Sequence, residues 1–91
     1  MSIKERFGVN LKRARRLAGL SQEELATLTE IHRTQISFLE NGKRTPRLDT
    51  FLKLVCALQI PADDLLEGMA WKPSPLSFGS YEVTASASAR L

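Results

Sequence analysis

One cysteine and one histidine in 91 residues leave the chain unable to form an internal disulfide. They also supply too few Cys and His ligands to close a zinc site. No apolar run approaches the roughly 18 to 20 residues that a membrane-spanning helix needs. The basic start is not followed by the apolar block of a secretion signal, so no membrane partner is expected and the expected location is the cytoplasm. The catalytic inventory is equally thin. There is no glycine-rich phosphate loop and no acid pair beside a histidine, and Cys56 and His32 fall in segments that read as different helices. An enzyme is not expected, and nothing calls for a cofactor. Length excludes a second domain, because 91 residues fill one compact unit of ordinary size.

What is present is an average globular composition, 43% hydrophobic and 25% charged, with an uneven charge distribution. Residues 1–47 carry ten Lys and Arg against five Asp and Glu, a balance of +5, whereas residues 48–91 carry three against five, or −2. The N-terminal half is therefore the half to test for affinity to a polyanion.

Periodicity predicts an all-α fold of five helices. The first runs from about Lys4 to Ala18, with Phe7, Leu11, Ala14 and Leu17 or Ala18 on one face, and ends at Gly19. The second starts at Ser21, because Ser-x-x-Glu to Glu24 is a capping box; Leu25, Ala26 and Leu28 form its inward side. Thr29, Glu30 and Ile31 break the pattern, and a third helix comes next with Ile36 and Leu39 inward, ending at Asn41-Gly42. A basic loop, Lys43 to Arg47, precedes the stripe Leu48, Phe51, Leu54, Val55 and Leu58. Pro61 opens a last short helix, Ala62 to Glu67. Cys56, beside the helix-four stripe, reads as a small packed residue.

Residues 1–68 thus form the expected helical domain, and 69–91 a short irregular tail in which Pro73, Pro75 and Gly79 break helices. Tyr81 to Thr84 has the composition of one short strand. Trp71 and Phe78 have two packing partners open to them, the helices or a second copy of the chain.

Two short helices joined by a tight turn and followed by a basic loop suit a mechanical use: one helix crosses a duplex backbone while the next enters the major groove. The motifs Arg-x-x-x-Gly-Leu-Ser-Gln-x-Glu-Leu-Ala, Arg15 to Ala26, and Ile-Ser-x-Leu-Glu-Asn-Gly-Lys-Arg-x-Pro, Ile36 to Pro46, closely resemble the Cro/repressor type of helix-turn-helix domain, the XRE family. The resemblance spans Leu11 to Leu66, with the helix-turn-helix itself at about 22–41. It implies a five-helix, lambda-repressor-like DNA-binding domain whose third helix, His32 to Asn41, is the recognition helix.

With Ile36 and Leu39 inward, the helical period places Arg33, Thr34, Ser37 and Phe38 on the outer side as candidate base readers. Arg33 has the planar fork that donates twice to guanine. Phe38 has two readings open, contact with a thymine methyl or folding back onto neighbouring apolar atoms. Gln22, Asn41, Lys43 and Arg44 match family positions that grip the DNA backbone, with Arg13 and Arg47 as weaker candidates for that role. The resemblance assigns Arg15 and Glu40 to a structural salt bridge. It puts dimer contacts in the fifth helix, at Leu65 and Leu66, and in the tail beyond that helix.

Two positions depart from the family pattern. Glu30 stands where relatives usually have glycine, costing on the order of 1 kcal/mol if φ is positive there. His32 stands where Ser or Thr usually caps the recognition helix, with DNA-backbone contact and an ordinary surface position both open to it. The implied function is a sequence-specific DNA-binding transcription regulator acting as a homodimer on a palindromic operator in double-stranded DNA, with repression by blocking polymerase and activation by recruiting it both open. The alternative is a protein-interaction module, such as an antitoxin or anti-regulator, whose helices and tail bind a partner protein.

Overall fold

A computed structural model describes residues 1–76 and 78–84. Part of the expected tail, residue 77 and residues 85–91, lies outside the described residues. Five helices come first: α1 (Ile3–Leu17), α2 (Gln22–Thr29), α3 (Arg33–Glu40), α4 (Leu48–Leu58) and α5 (Ala62–Leu66). An antiparallel hairpin of β1 (Met69–Lys72) and β2 (Ser80–Val83) closes the described fold.

Local chemistry sets most of the boundaries. The Ser21 hydroxyl accepts from the Glu24 amide at 3.0 Å while the Glu24 carboxylate accepts from the Ser21 amide at 2.8 Å. The same reciprocal box, Ser2 with Glu5, starts α1 at 3.3 and 2.9 Å. In each, the serine amide and then its hydroxyl hold the glutamate pKa below its ordinary value. Helix α1 ends in a left-handed turn at Gly19, φ 73°, with the Leu20 amide donating to the Arg15 carbonyl. Helices α2 and α4 end on left-handed residues that are not glycine, Glu30 at φ 57° and Gln59 at φ 55°, each at a cost of about 1 kcal/mol.

Every helix contributes to one core. Phe7 and Leu11 come from α1, Leu25 from α2, Ile36 and Leu39 from α3, Leu54 and Leu58 from α4, and Leu65 from α5; Ile31 joins them from the turn. Each such side chain contributes about 1.5 to 3 kcal/mol by leaving water. Gly8 fixes how closely two of these helices approach. A Cβ there would lie 2.6 Å from the carbonyl oxygens of both Leu39 and Glu40, so α1 rests directly on the end of α3. Fully buried Asn10 ties α1 to α5, its Nδ2 donating to the carbonyls of Leu65 at 3.1 Å and Glu67 at 2.8 Å. These bonds satisfy carbonyls that a five-residue helix leaves without partners of its own.

Four apolar assignments need correction. Leu17, Leu28 and Leu48 are 82%, 58% and 76% exposed. In α1 and α2 a polar residue takes the inward position: Arg15 lies about one turn beyond Leu11, and Thr29 one turn beyond Leu25, its hydroxyl donating to the Leu25 carbonyl at 2.7 Å. Cys56 is exposed rather than packed, since a step of about 100° per residue turns it to the far side of α4 from Leu54 and Leu58. The tail also differs: it holds two strands where one was expected, because Met69–Lys72 gains its ladder from Ser80–Val83, beyond the reach of local pattern.

In the hairpin, Met69 pairs with Val83 and Trp71 with Tyr81, which puts these four on one face. Met69 packs against the core while the Trp71 and Tyr81 rings, edge-on at 5.0 Å, remain more than half exposed. The opposite face carries the Lys72–Glu82 ion pair, 3.6 Å.

Candidate nucleic-acid interface

Helix α3 is seated by a buried ion pair. Arg15 of α1 donates from Nε to Glu40 Oε2 at 2.6 Å and from Nη2 to Glu40 Oε1 at 3.0 Å, and from Nη1 to the Leu20 carbonyl at 2.8 Å. The hydrogen bonds to Glu40 raise the Arg15 pKa against the opposing effect of burial. Gln22, at the start of α2, donates its side-chain amide to Glu40 Oε1 at 3.1 Å. One carboxylate thereby joins α1, α2 and α3, and the amino end of α2, with its free amides, is held beside the carboxyl end of α3.

With Ile36 and Leu39 buried, the opposite side of α3 is open: Arg33 and Thr34 are exposed, Phe38 is 38% exposed, and Ser37 is half-buried. Arg33 Nε is 3.8 Å from Glu23 Oε1, but both side chains are more than half exposed, so the pair holds Arg33 by less than about 1 kcal/mol and leaves it free to swing outward. The start of α3 is capped by His32, whose Nδ1 accepts from the Thr34 amide at 3.1 Å.

At the other end of α3, Asn41 Nδ2 donates to Ser37 Oγ at 3.3 Å, and the chain reverses at Gly42, φ 71°, into exposed Lys43 and Arg44. The Arg44 guanidinium lies over the Phe38 ring, 5.2 Å from its centroid. Phe38 therefore neither stands bare nor folds into the core.

Structure thus brings Gln22, Arg33, Thr34, Ser37, Phe38, Asn41, Lys43 and Arg44 together on α3 and beside its carboxyl end, with His32 at its head. Arg13 is engaged elsewhere, with half-buried Glu67 at 2.9 Å, whereas the Arg47–Asp49 pair, 3.5 Å, is exposed on both sides and holds Arg47 as weakly as Glu23 holds Arg33. Leu65 requires correction as a dimer contact: it is fully buried in the chain's own core, so only Leu66, 47% exposed, is left on the surface from that pair. Two contributions had no local sequence signal, the Arg44–Phe38 stack and the Glu23 carboxylate beside Arg33. Gly8 did have a weak one, since a glycine inside a regular helix costs about 1 kcal/mol against alanine and so calls for a packing reason.

What this arrangement can do is present a shallow cationic ridge, one helix wide, to a polyanionic groove. Among the described residues, three or more metal-ligating side chains are nowhere grouped, and no helix is long and apolar enough to cross a membrane.

Comparison with known proteins agrees with this geometry. The family described as Helix-turn-helix, HTH_3, matches residues 11–65. The control protein C.SmaI of Serratia marcescens is 38% identical over 66 residues, covering 72% of this chain and 79% of that protein. The control protein C.BamHI of Bacillus amyloliquefaciens is 37% identical over 67 residues, covering 72% and 83%. Among solved structures, the restriction-modification controller protein C.AhdI from Aeromonas hydrophila superposes with a TM-score of 0.66 at 39% identity, covering 68% of this chain and 94% of that one.

Proposed function

The chain belongs to the HTH_3 helix-turn-helix family of transcriptional regulators, which are not enzymes, and on that premise we propose that it acts as a repressor bound as a homodimer to a palindromic DNA operator. Arg33, Thr34, Ser37 and Phe38 read base edges in the major groove. Gln22, His32, Asn41 and Lys43 hold the flanking phosphates. Residues 1–68 form the DNA-binding unit, and the hairpin that follows contributes contacts between protein chains. Bound at a promoter in the cytoplasm, the dimer blocks polymerase. Likeness to the restriction-modification controllers supports a narrower role, control of the genes of such a system.

The observation that carries this reading is the exposed side of α3 with the Lys43–Arg44 loop at its end, both fixed by the buried Arg15–Glu40 pair. Dimerisation has separate support. Leu66, Leu48 and Met69 line an apolar groove of about 380 Å3, and exposed Trp71 and Tyr81 lie on the same face of the hairpin as Met69. Two copies joined there bring a second α3 to the duplex, and one helix alone makes few contacts. The same exposed aromatics favour a second reading, in which the hairpin binds a protein partner.

Selection of bound duplexes from a random pool tests the proposal. The expected product is an inverted repeat whose halves lie about one helical turn, roughly 34 Å, apart, with two chains per duplex by sedimentation. An asymmetric site holding one chain, or no enriched sequence, contradicts it.

A further inference from the structure

We propose that Arg44 reads a guanine beside a thymine contacted by Phe38, the two side chains acting as one stacked recognition element at the carboxyl end of α3. This rests on the reading of α3 as the groove-entering helix and departs from the assignment of Arg44 to the phosphate-gripping loop.

Three observations support it. First, the reversal after α3 is tightly tied: the Gly42 amide donates to the Leu39 carbonyl at 3.2 Å and the Lys43 amide to the Phe38 carbonyl at 2.9 Å. A Cβ on Gly42 would stand 3.0 Å from the Glu5 Cα, so α1 backs the turn from behind. The loop is thereby doubled back over the last turn of α3, which brings residue 44 over residue 38. Secondly, Arg44 has the ring where four other arginines have a carboxylate. Arg13, Arg15, Arg33 and Arg47 each lie within 4 Å of an acid, whereas the Arg44 guanidinium is stationed 5.2 Å from the Phe38 centroid. A cation–π contact ties the guanidinium to no hydrogen-bond acceptor, so its N–H fork stays available to a planar acceptor pair.

The third observation is position. Phe38 is four residues beyond Thr34, one turn along the same outward face of α3. When that face enters the groove, the ring meets base edges rather than phosphate, and its apolar surface suits the thymine methyl. A guanidinium riding on the ring is carried into the groove with it. There it faces the O6 and N7 acceptors of a neighbouring guanine, a bidentate match that a phosphate grip would not require.

Arg44→Lys and Phe38→Leu test this, since one keeps the charge without the fork and the other keeps apolar bulk without the ring, both at exposed positions. Each full-length variant is titrated with the selected operator, with every single-base-pair variant of it, and with a random duplex. Arg44→Lys is expected to bind the random duplex with unchanged salt dependence while losing roughly tenfold of its preference for the operator. That loss should map to one base pair in each half-site. Phe38→Leu is expected to lose preference at that base pair or its neighbour, and the double variant should lose less than the product of the two. Undiminished operator preference in Arg44→Lys, or losses at separated positions that multiply independently, overturns the proposal while leaving operator binding by α3 intact. A wild-type chain with no preference for any duplex overturns both.

Discussion

Arg15→Ala removes three hydrogen bonds at once, two to Glu40 and one to the Leu20 carbonyl. The Glu40 side chain is 1% exposed and keeps only the Gln22 amide as a donor, so a buried negative charge loses its counter-ion. Breaking a buried pair in this way costs about 3 to 5 kcal/mol. The Arg15 side chain is itself 10% exposed, so some water enters when it is cut back, and the lower end, about 3 kcal/mol, is the appropriate figure. In a domain of this size 1 kcal/mol moves the thermal midpoint by about 4 to 8 °C, so the midpoint should fall by more than roughly 10 °C. Glu40→Gln should cost less, because it leaves Arg15 bonded to Leu20 and partly open to water. The double variant should cost less than the two added together. Thermal melts followed by circular dichroism measure all three. A fall of under about 4 °C for Arg15→Ala, or strict additivity, refutes the claim that this pair seats α3.

Backbone and charge carry further expected outcomes. Gly8→Ala should destabilise by about 1 to 3 kcal/mol despite the better helix propensity of alanine, because its Cβ collides with the carbonyls of Leu39 and Glu40; a neutral or higher midpoint contradicts that close approach. Glu30→Gly and Gln59→Gly should each raise stability by up to about 1 kcal/mol by relieving a left-handed residue with a side chain, and a lower urea midpoint for both argues against strain there. Glu5 and Glu24 have folded pKa values below their unfolded ones, so their contribution is fully present above the ordinary glutamate range and is lost as pH falls through the folded values. Glu24→Gln should therefore be less stable than wild type at neutral pH, with the gap closing in acid once Glu24 is protonated; a gap independent of pH removes the carboxylate from the cap.

The helix-turn-helix was legible because its signals are local. Ser21 with Glu24, the Gly19 and Gly42 reversals and the Ile36–Leu39 spacing are each decided within four residues, and tertiary structure only had to agree with them. Leu17, Leu28 and Leu48 misled because an apolar residue near an amphipathic stripe looks inward until its neighbours are placed, and Arg15 and Thr29 held the inward positions instead. Strand β1 and the Asn10 bonds to α5 depend on partners far along the chain, and no period in the sequence encodes them. The same is true of the site. The helical period put Arg33 on the outer side of α3 and composition marked the basic loop, whereas the tie between Arg44 and Phe38 appears only when the turn at Gly42 is built.

The central claim, that the outer side of α3 enters a DNA groove, is tested most directly by titrating the protein against its selected duplex and a scrambled one at two salt concentrations. Affinity should fall steeply with salt for both duplexes, with the selected duplex favoured by about a thousandfold or more. Arg33→Ala should erode that ratio, while Lys43→Ala should weaken both duplexes alike. A flat salt response with equal affinity for the two duplexes contradicts the claim.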